Sequence, residues 1–457
     1  MNILKIKEKL LSLSKKKKEL INVVNFSNSA ISIKSTAFNF NSQVHDEFEK
    51  LYHASDVENS IFRLFEGEKI NTSEEKAALH WQARDPNSDI YKNIFKISKK
   101  IKYRIGKDSI KNIVTLSIGG SFEGPKLLLE SLASPKNKSY NHLFITGSDN
   151  QEFNEKLLNL IQKETIFILT SKSMKSTEVI NNFKLAKKWL SSKLNNEEVL
   201  SKFYCVTSNV SKAEKLGIHK ENIIFLNDEI GGRFSIWSEV SLLSIIESEK
   251  TFASFLAGGH AADLEIKSKK RYKKTIKKLS YIDLWNSNFL DINNRVILSY
   301  AWKLRSFPKY IQQLEMESLG KKANLDSIFE KTSQTIYGDY GPRAQHSFFQ
   351  MLHQGTSNTC IDFILNNEDS KSNKLTKIQA LTQNKLFNSI KNKRGSVTNT
   401  LSSNLYGLKG LSPFNLGFLI SSWEHKTFIT SQLLMVNPFD QFGVEEGKII
   451  IDKKFNY

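Results

Sequence analysis

Five short apolar segments between residues 113 and 226 limit the folds that this chain can adopt. Each is four to six residues long, is rich in β-branched or aromatic residues, and is followed by Gly, Ser or Asn. Strands that are covered by helices on both faces of a parallel sheet have this pattern. Amphipathic segments at 124–132 and 177–190 lie between them, so the pattern predicts a doubly wound α/β domain. The predicted strands are 113–118, 142–146, 165–170, 203–207 and 223–226.

A second α/β region follows, and its apolar segments are less regularly spaced. Residues 296–300 and 378–382 have the composition of strands, and helical periodicity covers 308–317, 346–355 and 415–436. A chain of 457 residues is long enough for two hydrophobic cores, since single cores seldom grow beyond about 250–300 residues. The predicted parts are a mostly helical N-terminal segment over 1–100, a first α/β domain over 101–250, a second over 260–440 and a C-terminal tail over 441–457.

The composition indicates a globular protein without a secretory or membrane-spanning segment. Hydrophobic residues make up 39% of the chain and aromatic residues 11%, and both are spread along its length. Charges interrupt every apolar stretch of MNILKIKEKLLSLSKKKKEL, and no segment approaches the ~18 apolar residues that span a bilayer. Two cysteines, Cys205 and Cys360, are too few for a disulfide framework. We therefore expect a cytoplasmic protein.

The formal net charge of +19 is compatible with nucleic acid, anionic lipid or an anionic small substrate as partner. No stripe of Lys and Arg interleaved with aromatic residues is present in the sequence, and the run Lys15–Lys18 is short and isolated. The pattern favours solvated surface lysines, so we expect neither nucleic-acid nor membrane binding.

The segment VTLSIGGSFEGP predicts a strand, a tight turn and a helix. Gly119 and Gly120 allow backbone N–H groups to approach a ligand, the helix N-terminus favours an anion, and Ser121 adds a hydroxyl. The segment matches neither G-x-x-x-x-G-K-[ST] nor G-x-G-x-x-G, which argues against a nucleotide or dinucleotide. Taken alone, a turn with purely structural glycines is an equally good interpretation.

The segment FILTSKSMKSTEV predicts the same order of strand, loop and helix but carries more hydroxyl groups. Its loop contains Ser171, Lys172, Ser173, Ser176 and Thr177. The terminal oxygens of a phosphomonoester accept several hydrogen bonds, whereas one serine suffices to cap a helix. Two such loops at the carboxyl ends of strands in one domain predict a sugar-phosphate site.

Two further segments contain candidates for charge stabilisation and proton transfer. In EIGGRFSIWSEV, Arg233 can stabilise a developing negative charge, although a surface arginine after a turn is the alternative. In YIQQLEMESLGKK, Glu315 and Glu317 alternate with apolar residues, which can raise a carboxyl pKa toward the range of a general base. Most helical glutamates are instead simply solvated.

The remaining candidates are two histidines, a glutamine and a lysine. His346, in YGDYGPRAQHSFFQMLHQGT, begins a predicted helix and could transfer a proton to a sugar ring oxygen, with capping or packing as the alternative. His353 follows seven residues later, and no third ligand has suitable spacing, so no metal site is predicted. Gln441 and Lys448 flank a turn and a short helix in NPFDQFGVEEGK, where surface positions are the alternative.

Together and in this order, these segments resemble the glucose-6-phosphate isomerase family, also called the phosphoglucose isomerase family. The resemblance runs from TSEEKAALHWQARD near residue 72 to EEGK at 445–448. Its most specific motifs are GGRFSIWSEVSL, QQLEMES-x-GK, AQHSFFQMLHQGT and EHKTFITSQLLMVNPFDQFGVEEGK. The loop SKSMKSTEV differs from the usual family pattern S-K-T-x-T-T-x-E-T in having serines for threonines and Lys175 at a hydroxyl position.

The resemblance implies two doubly wound domains of the sugar-isomerase (SIS) type that interconvert glucose 6-phosphate and fructose 6-phosphate, in glycolysis and gluconeogenesis, without a cofactor or metal. It implies a homodimer with shared active sites, in which His346 of the neighbouring subunit and Lys448 open the sugar ring. Glu317 would move the proton between C2 and C1 through a cis-enediol(ate), and Arg233 would stabilise the enediolate. The implied binding residues are Gly120, Ser121, Ser171, Lys172, Ser173 and Ser176 for the phosphate, and Glu178, Gln313 and Gln441 for the sugar or the orientation of the catalytic groups.

Two alternatives stay open at this point. A non-catalytic sugar-phosphate sensor of the same fold would need the hydroxyl-bearing loops but not the four catalytic candidates together. An isomerase that also accepts mannose 6-phosphate is the second, because tolerance for the orientation of one hydroxyl depends on side-chain positions.

Overall fold

A computed structural model describes residues 3–107, 109–132, 139–389 and 399–455. Its strands are β1 (Leu20–Ser27), β2 (Ile31–Phe38), β3 (Asn112–Ser117), β4 (Asn141–Ile145), β5 (Thr165–Thr170), β6 (Phe203–Thr207), β7 (Ile223–Phe225), β8 (Asn294–Ser299), β9 (Thr335–Tyr340), β10 (Thr359–Asn366) and β11 (Ser403–Leu408). Its α-helices are α1 (Ile3–Ser14), α2 (Ser42–Ala54), α3 (Val57–Phe65), α4 (Asp89–Lys107), α5 (Gly120–Leu132), α6 (Asn150–Leu157), α7 (Thr177–Ser191), α8 (Asn196–Ser201), α9 (Val210–Lys215), α10 (Leu242–Glu247), α11 (Glu249–Ser268), α12 (Lys270–Phe289), α13 (Phe307–Leu319), α14 (Gly341–Ala344), α15 (Phe349–Gln354), α16 (Lys374–Phe387), α17 (Pro413–Leu434) and α18 (Glu445–Phe455).

The strands form two separate sheets, each in its own unit of the chain. Residues 79–253 and 441–457 form a unit with a five-stranded sheet, and residues 1–78 and 254–440 form a unit with a six-stranded sheet. We call them the five-stranded unit and the six-stranded unit. Both combine a parallel or largely parallel sheet with helices, so the predicted α/β class is confirmed.

The five-stranded sheet has the order β4-β3-β5-β6-β7, and all of its strand pairs are parallel. All five strands predicted from the apolar segments are present. Every residue of β3, β5 and β6 is buried, because helices cover both faces. Successive residues of β3 enter different hydrophobic clusters: Val114 joins one of them and Ile113 the other. The apolar segments therefore reflect strands at the centre of a doubly wound sheet.

The six-stranded sheet has the order β1-β2-β11-β10-β8-β9, in which β11, β10, β8 and β9 are parallel to one another. The strand predicted at 296–300 is confirmed as β8. The strand predicted at 378–382 is wrong, because these residues lie within α16. Only Ala380 of this run is buried, while Ile378 and Leu381 are exposed, so the run faces outward on a helix. A short apolar run does not by itself distinguish a strand from a helix.

An antiparallel hairpin, β1–β2, adds two strands that the helical interpretation of the N-terminal segment did not include. β2 pairs antiparallel with β11, so residues 1–78 extend the six-stranded sheet and do not form a segment of their own. The sequence ISIKSTAF in β2 alternates between more buried and less buried residues, as a strand does. That alternation was the available signal for this strand.

Both cysteines are buried and free. Within the described ranges, none of the helices combines the length and the hydropathy that a bilayer span requires.

Candidate active site

The turn after β3 packs against the turn that precedes Arg233. Gly119 has φ of +59°, in the left-handed region that favours glycine. A Cβ built on Gly120 would lie 2.1 Å from the carbonyl oxygen of Gly232, so the two backbone segments are in contact. Ser121, the hydroxyl of this turn, is half-buried. Gly120 therefore has a structural role in joining two turns, whether or not its N–H also contacts a ligand.

Replacing Gly120 by alanine is expected to separate these turns. The new methyl group would overlap the carbonyl oxygen of Gly232, a backbone atom that cannot rotate away. Overpacking typically costs about 1–3 kcal/mol, and we expect such a loss in the free energy of unfolding from urea titration. Gly106→Ala in α4 is the control, because a Cβ there meets no described atom within 4 Å. Equal stability of G120A and the wild type would contradict the contact.

The loop between β5 and α7 carries the hydroxyl groups that were predicted to bind phosphate. The backbone N–H of Ser171 donates to the carbonyl oxygen of Val206 at 3.1 Å. The Oγ atoms of Ser171 and Ser176 are 3.3 Å apart. Ser176 is the N-cap residue of α7, yet its side chain makes no capping hydrogen bond within the described part of the chain. Helix capping therefore does not account for the Ser176 hydroxyl.

This loop and the turn after β3 begin at neighbouring strands. β3 and β5 are paired in parallel, with Ser117 opposite Thr170 at their carboxyl ends. The strand order reverses between β3 and β5: the chain continues from β3 to β4 on one side of the sheet and from β5 to β6 on the other side. Ligands of doubly wound sheets bind in the crevice at such a reversal. Of the other predicted binding residues in the β5–α7 segment, Ser173 is exposed, while Lys172 and Glu178 are half-buried.

Arg233 lies on a short 3-10 helix, Gly232–Trp237, and is only 2% exposed. The alternative of a surface arginine is therefore wrong. Its Nη1 donates to Oε1 of Gln441 at 2.9 Å. Two residues that are far apart in the sequence, and that were each selected for the site, are thus brought into direct contact.

Lys448 lies on α18 and is exposed to solvent, as are its neighbours Ile449 and Ile450. The exposed position agrees with the surface interpretation that the sequence left open. A role in ring opening for Lys448 is therefore supported by its place in the motif and not by a contact.

The last turns of α13 carry Gln313 and Glu317, both half-buried. Nε2 of Gln313 donates to Oε1 of Glu317 at 3.2 Å. Two other residues of this helix attach it to the beginning of β9. Nε2 of Gln312 donates to the carbonyl oxygen of Ile336 at 2.6 Å, and the Ile336 N–H donates to Sδ of Met316 at 3.4 Å. The Glu317 carboxylate is thus held by its own helix, next to the first residues of β9.

Glu315, the other candidate base, lies in a buried ion cluster. Its carboxylate is 2.8 Å from Nη1 of Arg295 and 2.7 Å from Nζ of Lys426, and it accepts a hydrogen bond from the indole of Trp423. Burial opposes ionisation, but the attraction of Arg295 and Lys426 outweighs it and holds the pKa of Glu315 below its ordinary value. A carboxylate that is stabilised in its ionised form by two cations is a poor general base, so the contacts favour Glu317.

Two aspartates complete the cluster. Asp283 of α12 pairs with Arg295 and lies 2.9 Å from Nζ of Lys426. Asp362 of β10 is fully buried, and burial raises its pKa to about 6. Its Oδ1 accepts a hydrogen bond of 2.6 Å from Nδ2 of Asn404. The cluster joins two helices, two strands and α13, and so fixes the helix that carries Glu317.

His346 is exposed and lies in the turn between α14 and α15. The prediction that it begins a helix is wrong, because α15 starts three residues later, at Phe349. The His346 N–H donates to the carbonyl oxygen of Arg343 at 3.1 Å, which closes a turn instead. His353 has a packing role: its ring stacks on Phe387 with 4.3 Å between the ring centroids.

His346 and Glu317 lie at opposite ends of β9 within one chain. The end of α13 contacts Ile336, near the beginning of this strand, through Met316, whereas His346 comes six residues after the strand's last residue, Tyr340. From Ile336 to Tyr340 a strand advances about 13 Å. Nε2 of Gln345, next to His346, donates to the Tyr300 hydroxyl, just after the carboxyl end of β8. These contacts place the end of α13, which carries Glu317, near the amino end of β9, and the segment of His346 beyond the carboxyl ends of β8 and β9.

The family model of phosphoglucose isomerase matches residues 36–455 of this chain. The chain belongs to the phosphoglucose isomerase family. The glucose-6-phosphate isomerase of Acinetobacter baumannii is 31% identical over 446 residues, which cover 86% of this chain and 80% of that protein. The enzyme of Shewanella putrefaciens is 32% identical over 444 residues, covering 86% and 81%. The crystal structure of a glucose-6-phosphate isomerase from Chlamydia trachomatis has the same fold, with a TM-score of 0.85 and 23% identity over 100% of this chain and 95% of that one.

Motifs of the phosphoglucose isomerase family did not lead us to the buried cluster around Glu315. A signal was nevertheless present, because charged residues are rarely fully buried unless they are paired. Arg295 directly precedes the predicted strand at 296–300, and Lys426 lies in the middle of the apolar helical stretch at 415–436. Charges at such positions predict internal ion pairs, although the sequence does not say which partners they have.

Proposed function

We propose that this chain interconverts glucose 6-phosphate and fructose 6-phosphate by opening the sugar ring and transferring a proton through a cis-enediol(ate). The observation that carries the proposal is the hydroxyl-bearing loop of Ser171 and Ser176. It lies beside the Gly-Gly-Ser turn, where the order of the five-stranded sheet reverses. Such a crevice suits a phosphate group. Family membership adds the substrate class that the relatives' names state.

In this proposal the phosphate is held by hydroxyls and backbone N–H groups. The Ser171 and Ser176 hydroxyls are close enough to donate to the same phosphate group, and Ser173 and the Lys172 backbone complete the loop. Ser121 with Gly120 contributes from the neighbouring turn. A dianion gains from several donors at once, because charge-assisted hydrogen bonds are stronger than neutral ones.

The chemical steps are assigned to four side chains. His346 and Lys448 move the protons that open the ring, and Glu317 removes the proton from C2 and returns it at C1. A well-placed general base contributes about 10²–10⁴-fold to a rate. Arg233 stabilises the negative charge on the enediolate oxygen, and Gln441 fixes its guanidinium through their hydrogen bond. Gln313 likewise orients the Glu317 carboxylate by donating a hydrogen bond to it. Glu178 contacts the sugar.

We further propose that the active form is a cytoplasmic homodimer in which His346 comes from the second subunit. The contacts that place the helix of Glu317 near the amino end of β9, and the segment of His346 beyond its carboxyl end, support this assignment. A single chain would need a large rearrangement to bring these two side chains to one sugar ring. Sedimentation of the purified protein, with activity followed as a function of dilution, tests the dimer.

The proposed function is tested by supplying fructose 6-phosphate to the purified chain and measuring glucose 6-phosphate with a coupled dehydrogenase. Conversion without added nucleotide supports the isomerase. If substrate binds but no turnover is detected, with or without added metal, the non-catalytic sensor is correct instead. Mannose 6-phosphate in place of fructose 6-phosphate measures the tolerance for the second epimer.

Replacing both Ser171 and Ser173 by alanine is expected to raise KM by about 10²-fold or more, since each of the two lost hydrogen bonds to a charged group is worth about 1.5–3 kcal/mol. The maximal rate should change much less, because these hydroxyls contact the phosphate and not the reacting carbons. The matched control is Ser191→Ala at the exposed end of α7. A fall in kcat with unchanged KM would contradict the role of the loop.

A further inference from the structure

Met174 lies in the middle of the phosphate loop between Ser171 and Ser176, yet its side chain is 0% exposed. Its φ is +50°, in the left-handed region that residues with a Cβ rarely adopt. The two residues on either side of it, Ser173 and Lys175, are exposed. The loop therefore turns one apolar side chain inward at the point where its polar neighbours face solvent. Strained backbone of this kind persists only where the surrounding contacts hold it.

The contacts beneath the loop explain why this conformation is stable. Met174 belongs to the hydrophobic cluster that also contains Val179 and Phe183 of α7. Sγ of Cys205, on β6, lies 3.7 Å from Sδ of Met174. The side chain is thus fixed between the helix that follows the loop and a central strand of the sheet.

A second set of contacts holds the loop from the same side. The carbonyl oxygen of Lys172 accepts hydrogen bonds from the Ser208 N–H and from Oγ1 of Thr207, each at 3.0 Å. Oγ1 of Thr207 also accepts from the Asn209 N–H at 3.0 Å. The carbonyl of Lys172 is thereby turned inward, toward the segment that follows β6.

We propose that Met174 is a positioning residue: its buried side chain holds the loop in the shape that presents Ser171, Ser173 and Ser176 to a phosphate group. The inference rests on the proposed function of this loop. A loop that is ordered before the ligand arrives loses little conformational entropy on binding, and affinity is correspondingly higher. Removing the Met174 side chain deletes none of the hydroxyl or backbone donors of the loop. It removes only a packing contact that holds those donors in position.

The test compares three variants in two measurements. Isothermal titration calorimetry with inorganic phosphate gives the dissociation constant, and thermal unfolding gives the stability. Met174→Ala is expected to raise the dissociation constant of phosphate, and the KM for fructose 6-phosphate, by about tenfold, with kcat unchanged. Met174→Leu keeps the buried volume and should restore wild-type affinity. Leu190→Ala is the control: Leu190 is fully buried in the same cluster, but it lies 13 residues along α7 from Thr177, or about 20 Å. It should lower the unfolding temperature as M174A does while the dissociation constant stays unchanged.

Thr207→Val provides a second variant that preserves size and removes only the hydroxyl beneath Lys172. It should weaken phosphate binding in the same direction as M174A, and it keeps the test decisive if M174A does not fold. Unchanged phosphate affinity in either variant overturns the inference, even if the isomerase activity is found as proposed. Equal loss of affinity in L190A and M174A also overturns it, because the effect would then be general destabilisation. Absence of phosphate binding by the wild type overturns the assignment of the loop itself.

Discussion

Replacing Glu317 by glutamine is expected to lower the kcat of isomerisation by about 10²–10⁴-fold, the usual contribution of a general base. Glutamine has the same shape and can still accept the hydrogen bond from Nε2 of Gln313, so the last turns of α13 should keep their structure. The affinity for inorganic phosphate should stay unchanged, because the phosphate loop belongs to another part of the chain. The coupled assay measures kcat, and calorimetry measures phosphate binding.

The matched control for this variant is Glu330→Gln. Glu330 belongs to the same unit and forms an exposed ion pair of 2.8 Å with Lys7, where the identical chemical change should leave the rate unaffected. If E317Q retained most of the wild-type activity, the base would have to be assigned to another residue.

Replacing Glu315 by glutamine is expected to have the largest effect on stability of any single change in α13. The variant leaves Arg295 and Lys426 buried with one carboxylate fewer, and breaking a buried ion pair typically costs about 3–5 kcal/mol. Urea titration at neutral pH measures this loss. The exposed control Glu330→Gln should change the free energy of unfolding by about 0.5 kcal/mol at most. A loss for E315Q as small as that of the control would contradict the buried cluster.

The same variant should also respond differently to acid. The folded protein holds the pKa of Glu315 below its ordinary value, so the folded state binds fewer protons there than the unfolded chain. The stabilisation from Glu315 is therefore complete above the unfolded pKa of about 4.3 and is lost as the pH falls through the lower folded value. The difference in stability between wild type and E315Q should accordingly shrink as the pH is lowered below 4. An equal difference at neutral and acidic pH would contradict the ionised state of Glu315.

The five-stranded sheet was predictable because its strands are buried on both faces. Segments such as Thr165–Thr170 and Phe203–Thr207 carry apolar and β-branched residues without interruption, and few other structures have that composition. The six-stranded sheet was harder to predict. The outward-facing run in α16 was mistaken for a strand, and β2 pairs with β11 from the other end of the chain. Pairing across more than 300 residues leaves no local signal.

The position of the hydroxyl-bearing loop between β5 and α7 was predictable for a related reason. A strand that ends in several hydroxyls before a helix places those hydroxyls at the carboxyl edge of a parallel sheet, whatever the rest of the chain does. The inward turn of Met174 was not predicted, although an apolar residue in SKSMKST was a visible anomaly. The role of Met174 depends on its contact with Cys205 and on the hydrophobic cluster that it shares with Phe183, and both form only in the folded unit.

The residues around the two glutamates of α13 do not by themselves indicate which of the two is the general base. Glu315 and Glu317 are two residues apart, and both stand beside apolar neighbours, so composition favours neither as the base. The resemblance selected Glu317. The structure adds a physical reason, because Arg295 from β8 and Lys426 from α17 bind Glu315 and not its neighbour. Those partners lie 20 and 111 residues away in the sequence, and only the fold brings them together.

Solvent exchange at the reacting carbons tests the central claim most directly. The purified protein is incubated with fructose 6-phosphate in D₂O, and deuterium at C2 of the glucose 6-phosphate formed is followed by NMR. Wild-type protein should incorporate deuterium at C2, because a carboxylate that carries the proton exchanges it with solvent. E317Q should incorporate deuterium far more slowly than the wild type while it still binds phosphate. Exchange and interconversion by E317Q at the wild-type rate would contradict proton transfer by Glu317.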